Sequence, residues 1–246
     1  MVDHSTSNWV LEGGGHRITL RCPRYIAGIL SQVLSGWVIK RVDRRPFQEK
    51  LAVTFSSDRY CVDSIVLNNA EIHTDIISAI NDLLVNLAYL IPNSDDSLRL
   101  VHCAAFVENG MMNIIVGKKN RGKSSLVYQK ALAGNEIVAD DLIIWQPKLG
   151  KFHALGLPLR LRRPVLTLEG KQANSSDFFA GHGIAYSKRH AFNIAQVGKE
   201  FLLDRLFELD ENFTPHAVSM LKTPAKLEEY IIGPEYTSLK KEILGK

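Results

Sequence analysis

The run Gly117-Lys-Lys-Asn-Arg-Gly122-Lys123-Ser124 has the spacing GxxxxGK[ST]. Its glycines let the backbone turn tightly enough for successive N–H groups to surround an anion. In such a loop the amides and the start of the following helix take phosphate oxygens, Lys123 reaches the β and γ phosphates of a nucleotide such as ATP, and the Ser124 hydroxyl binds Mg2+. Gly117, Asn120, Arg121, Gly122, Lys123, Ser124 and Ser125 are therefore the candidate nucleotide-binding residues, with Lys118 and Lys119 adding positive charge. Read on its residues alone, the same run is also a basic turn between a strand and a helix. Asp140 and Asp141 follow a short distance on, inside the apolar stretch Ile137–Trp145. Two adjacent carboxylates in such a stretch are costly to bury unless a cation or hydrogen-bond donors meet them. One would hold Mg2+ and the other accept a proton from an attacking hydroxyl; a carboxylate here also serves simply to cap a strand or to orient Lys123.

The elements that must position these groups follow from hydrophobic spacing. Leu98–Val107 and Met111–Val116 are two apolar strands joined by Glu108-Asn-Gly110, a hairpin turn, and the second runs straight into Gly117. Ser124–Ala133 is a short helix closed by Gly134, and Ile137–Trp145 is a buried strand. Strand, glycine-bounded loop, helix and strand make a βαβ unit, whose crossover lays the two strands side by side, or nearly so, in one sheet. Upstream, Arg17–Cys22, Gly36–Lys40, Leu51–Phe55 and Tyr60–Leu67 alternate as short strands, with turns at Gly13–Gly15 and Asn68-Asn69. Asp75–Leu90 repeats its apolar residues every 3.6 positions and predicts a helix with Thr74 as N-cap. The turn formers Pro92–Ser97 mark a boundary, giving a β-rich α+β region over 1–97 and a mixed-sheet α/β nucleotide-binding domain over 98–246. Phe201–Leu209 is a further strand, and a helical tail is expected from about Ala217.

With 246 residues, 46% of them apolar, 23% charged and 8% aromatic, the chain is of ordinary globular composition, which excludes disordered, collagen-like and disulfide-scaffold classes. Cys22, Cys61 and Cys103 are odd in number and lack CxxC spacing, so neither a disulfide framework nor a zinc site is expected. A net charge of +4 is too mild to indicate nucleic acid. The most apolar helical stretch, Asp75–Ile91, is interrupted by Asn81 and Asp82, and the N-terminus has neither a basic nor an apolar leader. No membrane partner and a cytoplasmic location are therefore expected. A homo-oligomer is left open.

His102, the loop 117–124, Gly134 and Val138-Ala-Asp-Asp141 together resemble the C-terminal catalytic domain of HPr kinase/phosphorylase, whose fold is related to phosphoenolpyruvate carboxykinase. The basic segment Pro158-Leu-Arg-Leu-Arg-Arg-Pro164, which precedes Val165, is similar to one in HPr-kinase-like proteins such as lasso-peptide precursor kinases. The match covers residues 98 to 165; beyond them only the layout is similar. The resemblance implies a P-loop fold of that type, nucleotide at Gly117, Gly122, Lys123 and Ser124, Asp140 and Asp141 as metal ligand and base, and His102 beside them. Without it, a lone histidine opening an apolar strand is more often structural. Lys119, Asn120 and Arg121 stand where the family has small residues and a further glycine, and its RGLGI-type segment has no counterpart, so HPr and phosphorolysis are not expected.

Three functions follow as expectations. The first is ATP-dependent phosphoryl transfer to a Ser or Thr hydroxyl of a peptide or small protein, such as a biosynthetic precursor peptide. The second is a catalytically silent relative that binds such a peptide in a natural-product pathway. A third, transfer to a small molecule, stays open because fold does not fix substrate. Gly170–Arg189 is expected as a long loop, with Lys188, Arg189 and His190 able to meet an anion or simply solvated. Arg160 and Arg162 share one strand face, suited to phosphates or to surface ion pairs.

Overall fold

The computed structural model describes residues 3–43, 48–66, 70–162, 167–168, 171–172, 175–181, 183–212 and 214–232. The Asn68-Asn69 turn, Arg163 to Val165 and the chain beyond Ile232 lie outside them. The protein is mixed α/β with several sheets and is mostly strand. It forms two compact units.

The first unit holds residues up to Gln32 and from Trp37 to Asp96. It contains β1 (Thr6–Gly13), β2 (His16–Pro23), α1 (Arg24–Val33), β3 (Val38–Arg41), β4 (Leu51–Ser56), β5 (Arg59–Ser64), β6 (Glu71–His73) and α2 (Ile76–Leu90). The six strands form one sheet in the order β3-β1-β2-β4-β5-β6, antiparallel except where β2 meets β4. The sequence reading omitted α1, although Ile26, Leu30 and Val33 recur at helical spacing and are fully buried. The N-cap of α2 is Asp75 and not Thr74. Its carboxylate accepts the Ser78 amide at 2.9 Å and the Ser78 hydroxyl at 2.7 Å, closing the first turn.

Ile76–Ser94 is the one described stretch of helix long and apolar enough, on length and composition, to cross a membrane. Of the polar residues that interrupt it, Asn81 and Asp82 are buried. Asp82 is partnered inside the unit, by His73 Nε2 at 3.1 Å and Asn86 Nδ2 at 3.0 Å. Burial of 78% of the stretch, packed on β4, β5 and β6, makes it the core helix of this unit.

The second unit comprises Val33–Gly36 and Ser97–Ile232. Its elements are β7 (Arg99–His102), β8 (Ala104–Glu108), β9 (Met111–Val116), α3 (Lys123–Leu132), β10 (Glu136–Ala139), β11 (Leu142–Gln146) and β12 (Lys151–His153). There follow β13 (Arg160–Arg162), β14 (Thr167–Leu168), β15 (Lys171–Gln172), β16 (Phe178–Gly181), β17 (Ile184–Ser187), β18 (Glu200–Leu202), β19 (Arg205–Leu209), β20 (Pro215–Val218), α4 (Thr223–Glu228) and β21 (Ile231–Ile232). One five-stranded sheet runs β10-β8-β9-β19-β20 and another β18-β12-β11-β7-β21; β13-β17-β16 form a third, and β14-β15 a hairpin.

Period-2 alternation lets the first of these sheets bury both faces. Met112, Ile114, Val116 and Leu206 join Val101, Ile143, Trp145 and Phe152 of the second sheet in one core. Phe106, Ile115 and Leu209 face the other way, against Val127, Tyr128 and Ala131 of α3 and Leu159, Leu161 and Phe178. The expected crossover places β9 and β10 parallel with β8 between them.

Three expected strands are each two. Leu98–Val107 divides at Cys103, Ile137–Trp145 at Asp140-Asp141 and Phe201–Leu209 at Leu203-Asp204, each pair serving both large sheets. The first two divide together because they are partners. His102↔Leu142 and Ala105↔Ala139 keep one register, so Cys103 and Ala104 stand opposite Asp141 and Asp140 along a single twisted ribbon. The expected tail helix begins later: Ala217 pairs with Phe207 in β20, and only Thr223–Glu228 is helical. The expected loop 170–189 contains the hairpin β16–β17, turned at Gly183.

Val33–Gly36 is threaded into the second unit. Ser35 donates its amide to the Gly156 carbonyl at 2.8 Å and its hydroxyl to the Ile194 carbonyl at 3.0 Å, and accepts the Val197 amide at 3.1 Å. Gly156 has φ +66°, and a Cβ there would lie 2.1 Å from the Ser35 oxygen. Gly156→Ala should therefore destabilise the protein by roughly 2–4 kcal/mol, as overpacking and a strained φ combine. Urea denaturation reads this as a lower midpoint; an unchanged midpoint would contradict the packing described.

Candidate functional site

The loop after β9 is shaped by three positive-φ residues, Gly117 (φ 151°), Asn120 (63°) and Gly122 (81°). Glycine is required at 117 because a Cβ there would press to 3.2 Å on Leu209 of β19 as well as meeting an unfavourable φ. Asn120 takes the left-handed turn that asparagine tolerates. Gly122 is the N-cap of α3 and has no side chain with which to close the helix's first N–H groups. Lys123 folds back over the loop, its Nζ donating to the Gly117 carbonyl at 2.7 Å and the Lys118 carbonyl at 3.2 Å. Only 7% exposed, its ammonium is held below its ordinary pKa by burial, against the pull of Asp141.

Beside this loop is a pocket of about 300 Å3 lined by His102, Lys119 to Ser125, Asp141 and Arg160 to Arg162. Two of the lining residues of the loop, Asn120 and Arg121, have side-chain partners. Arg162 Nη1 donates to Asn120 Oδ1 at 3.0 Å, and Arg121 donates to the Glu211 carboxylate at 2.9 Å and the Glu211 carbonyl at 3.3 Å. Lys188, Arg189 and His190 are not among the lining residues.

The two aspartates are in unlike surroundings although adjacent. Asp141 faces the pocket with both oxygens engaged, Oδ1 with His102 Nε2 at 3.1 Å and Oδ2 with Arg160 Nη2 at 3.3 Å. Burial alone would raise its pKa, but Arg160, His102 and Lys123 outweigh it and hold the carboxyl below the usual carboxylate range. Asp140 lies beneath, 6% exposed, where burial pushes its pKa up to about 6 against the hydrogen bond from the Arg160 amide and the influence of Ser124. Its Oδ2 accepts that amide at 2.7 Å, while Oδ1 is buried without a partner in hydrogen-bonding geometry. The ribbon makes this arrangement: the Cys103 amide donates to the Asp141 carbonyl at 3.0 Å, so the backbone at the carboxylates stays paired where the strands change sheets.

Of the site residues expected from the sequence, Asn120, Arg121, Gly122, Lys123, Ser124, Ser125, His102 and Asp141 line the pocket, as does Lys119; Gly117 and Asp140 do not, Gly117 accepting from Lys123 and Asp140 from the Arg160 amide. The sequence reading ranked Arg160 with the weaker signals, yet residue 160 binds both aspartates, one through its backbone and one through its side chain. It missed Glu211, which no motif marks, and Tyr186, a buried phenol opposite Arg160 in the β13–β17 pairing whose pKa is raised by burial. Cys103, expected only as a small apolar side chain, is buried as such, and burial raises its thiol pKa.

The groups present suit a phosphate-bound Mg2+. No three His, Cys, Asp or Glu side chains converge among the described residues, so a cation here would take one carboxylate oxygen and one hydroxyl from the chain and the rest from phosphate and water, the usual Mg2+ pattern. The Asp140 Oδ1, buried without a hydrogen-bond partner, and the Ser124 hydroxyl are the groups that would hold such an ion. Compared with protein-family models and with curated proteins, the chain matches none.

Asp140 generates a stability prediction for the protein in EDTA. Its folded pKa of about 6 lies above the ordinary 3.8, so its contribution is full below about pH 4 and is lost as pH rises through about 6. Asp140→Asn should exceed the parent by about 1–3 kcal/mol at pH 8, the gap closing toward pH 4. Urea denaturation across that range checks it; a gap independent of pH would show that ionisation at this position costs nothing.

Proposed function

We propose that the chain is an ATP-dependent phosphotransferase acting on a hydroxyl of a peptide or small protein, with a nucleotide site of the HPr kinase/phosphoenolpyruvate carboxykinase P-loop type. One observation carries the reading: Lys123 and Ser124 of the loop and Asp141, on separate elements, line one pocket at which α3 starts. When bound, the nucleotide supplies the phosphoryl group and Mg2+ neutralises part of its charge.

The rest is done by this chain's residues. The α3 amides and Lys123, released from the Gly117 and Lys118 carbonyls, hold phosphate oxygens; charge-assisted bonds to phosphate replace weaker ones to neutral carbonyls. Asp140 and Ser124 hold the cation. Asp141, oriented by His102, faces the pocket and accepts the proton of the attacking hydroxyl, whose oxygen forms the new bond to phosphorus as the bond to the nucleoside diphosphate breaks. Arg121 is paired with Glu211 and Asn120 with Arg162, and a pocket of about 300 Å3 stands open beside the altered loop, which supports a working site over a closed one.

Calorimetric titration with ATP, with and without Mg2+, tests the reading. Binding in the micromolar range that needs Mg2+ and falls at least tenfold in Lys123→Ala is expected. Asp141→Asn should retain binding and lose transfer to serine-containing peptides by a factor of about 10^2 or more. No heat at millimolar ATP would overturn it and favour a binding protein whose peptide affinity is indifferent to nucleotide.

A further inference from the structure

Five Lys and Arg side chains and one carboxylate line the pocket. Three of the five are accounted for: Arg121 pairs with Glu211, Arg160 pairs with Asp141, and Lys123 lies over the phosphate loop. Lys119 and Arg162 are not. Among the described residues neither side chain has a carboxylate partner, and Arg162 bonds only a neutral oxygen, Asn120 Oδ1 at 3.0 Å. That bond aims the guanidinium without neutralising it. Burial and the neighbouring Arg160 outweigh Asp141, Asp140 and Tyr186 and lower the pKa of Arg162, so the protein's own groups leave its charge uncompensated.

The place of Arg162 in the chain decides which anion it suits. The groups assigned to the donor's phosphates, the α3 amides and the buried Lys123, belong to the loop and its helix, whereas Arg162 is exposed and belongs to β13. Two residues back along β13 is Arg160, whose guanidinium pairs with Asp141, the carboxylate that takes the proton of the acceptor hydroxyl. Leu161, between them, has its side chain in the core, so the two arginines share the other face of the strand. A two-residue strand repeat is about 6.6 Å. An extended peptide has the same repeat, so a peptide with its hydroxyl at Asp141 presents a side chain at the spacing of Arg162 two positions away.

We infer that Arg162, assisted by Lys119, is a specificity-determining residue that binds a carboxylate of the acceptor: the peptide carries Asp or Glu two positions from its reacting Ser or Thr. The planar guanidinium takes a carboxylate in bidentate fashion, and the flexible Lys119 ammonium adds a second charge. This rests on the phosphotransferase reading above and names the class of its acceptor, an acidic peptide.

A degenerate peptide library centred on Ser or Thr, phosphorylated by the full chain with MgATP, tests this. The parent should favour Asp or Glu over Ala by about tenfold at the second position on one side of the acceptor, and select against Lys there. The preference is a ratio within one enzyme, so a general loss of activity in a variant cancels. Arg162→Gln should bring it close to one, and Arg162→Glu should turn it toward Lys. If Arg162 serves the nucleotide instead, Arg162→Gln raises the KM for ATP alike with every peptide and keeps the ratio, which overturns the inference. Transfer by the parent without acidic preference overturns it too and leaves the phosphotransferase reading intact, whereas a parent that phosphorylates no member overturns both. Should the variants fold poorly, the parent decides by itself: its acidic preference must shrink as salt rises from about 50 to about 500 mM. A preference indifferent to salt sinks the inference.

Discussion

The chemistry of this protein hangs on a backbone ribbon. Between His102↔Leu142 and Ala105↔Ala139 two antiparallel segments leave one sheet and enter another without losing register. Sheets that must pack face to face cannot share a straight strand, so a residue pair has to sit at the crossing. Here those residues are Cys103 and Ala104 on one side and Asp141 and Asp140 on the other. Small apolar side chains on the first segment leave room at the crossing, and the Cys103 amide on the Asp141 carbonyl keeps the two segments paired there. The cost of burying carboxylates is thereby confined to their side chains.

That cost is met differently for the two. Asp141 is offset by pairing with Arg160 and His102, and one face of it reaches the pocket. Asp140 has only an amide and the neighbourhood of Ser124, and its second oxygen goes unmet. Across the pocket Lys123 is in the mirror situation, a buried ammonium satisfied by carbonyls of its own loop. Opposite charges are thus held close but on separate partners.

Much of the site was legible because its signals are local. The glycine spacing of 117–124, the turn at Asn109-Gly110 and the αL glycine at 134 depend on backbone conformation within a few residues, and each stands where its type dictates. The periodicity of α2 was equally plain, although its cap was misplaced by one residue between two plausible capping side chains. The breaks at Cys103, Asp140 and Leu203-Asp204 were not legible, since apolar alternation continues on both sides and only pairing with distant segments divides the strands. Arg160 was visible as a basic residue on a strand, but its grip on both aspartates depends on β13 meeting the ribbon from a different sheet. Glu211 had no signal at all, being an exposed residue whose contacts here are with one side chain, Arg121.

The threading of Val33–Gly36 through the second unit bears on how the chain can be cut. The polypeptide leaves the first unit after Gln32, returns to it at Trp37 and leaves again after Asp96. A fragment beginning at Ser97 therefore keeps every residue of the pocket and still lacks four residues of the unit's own fold. The carbonyls of Gly156 and Ile194 and the amide of Val197 lose Ser35 at once, and the glycine shaped to receive it faces solvent. Gene dissection by linear boundaries would yield a fragment that holds the pocket but has a missing stave, and adding back a short peptide spanning Val33–Gly36 is the natural complement to it.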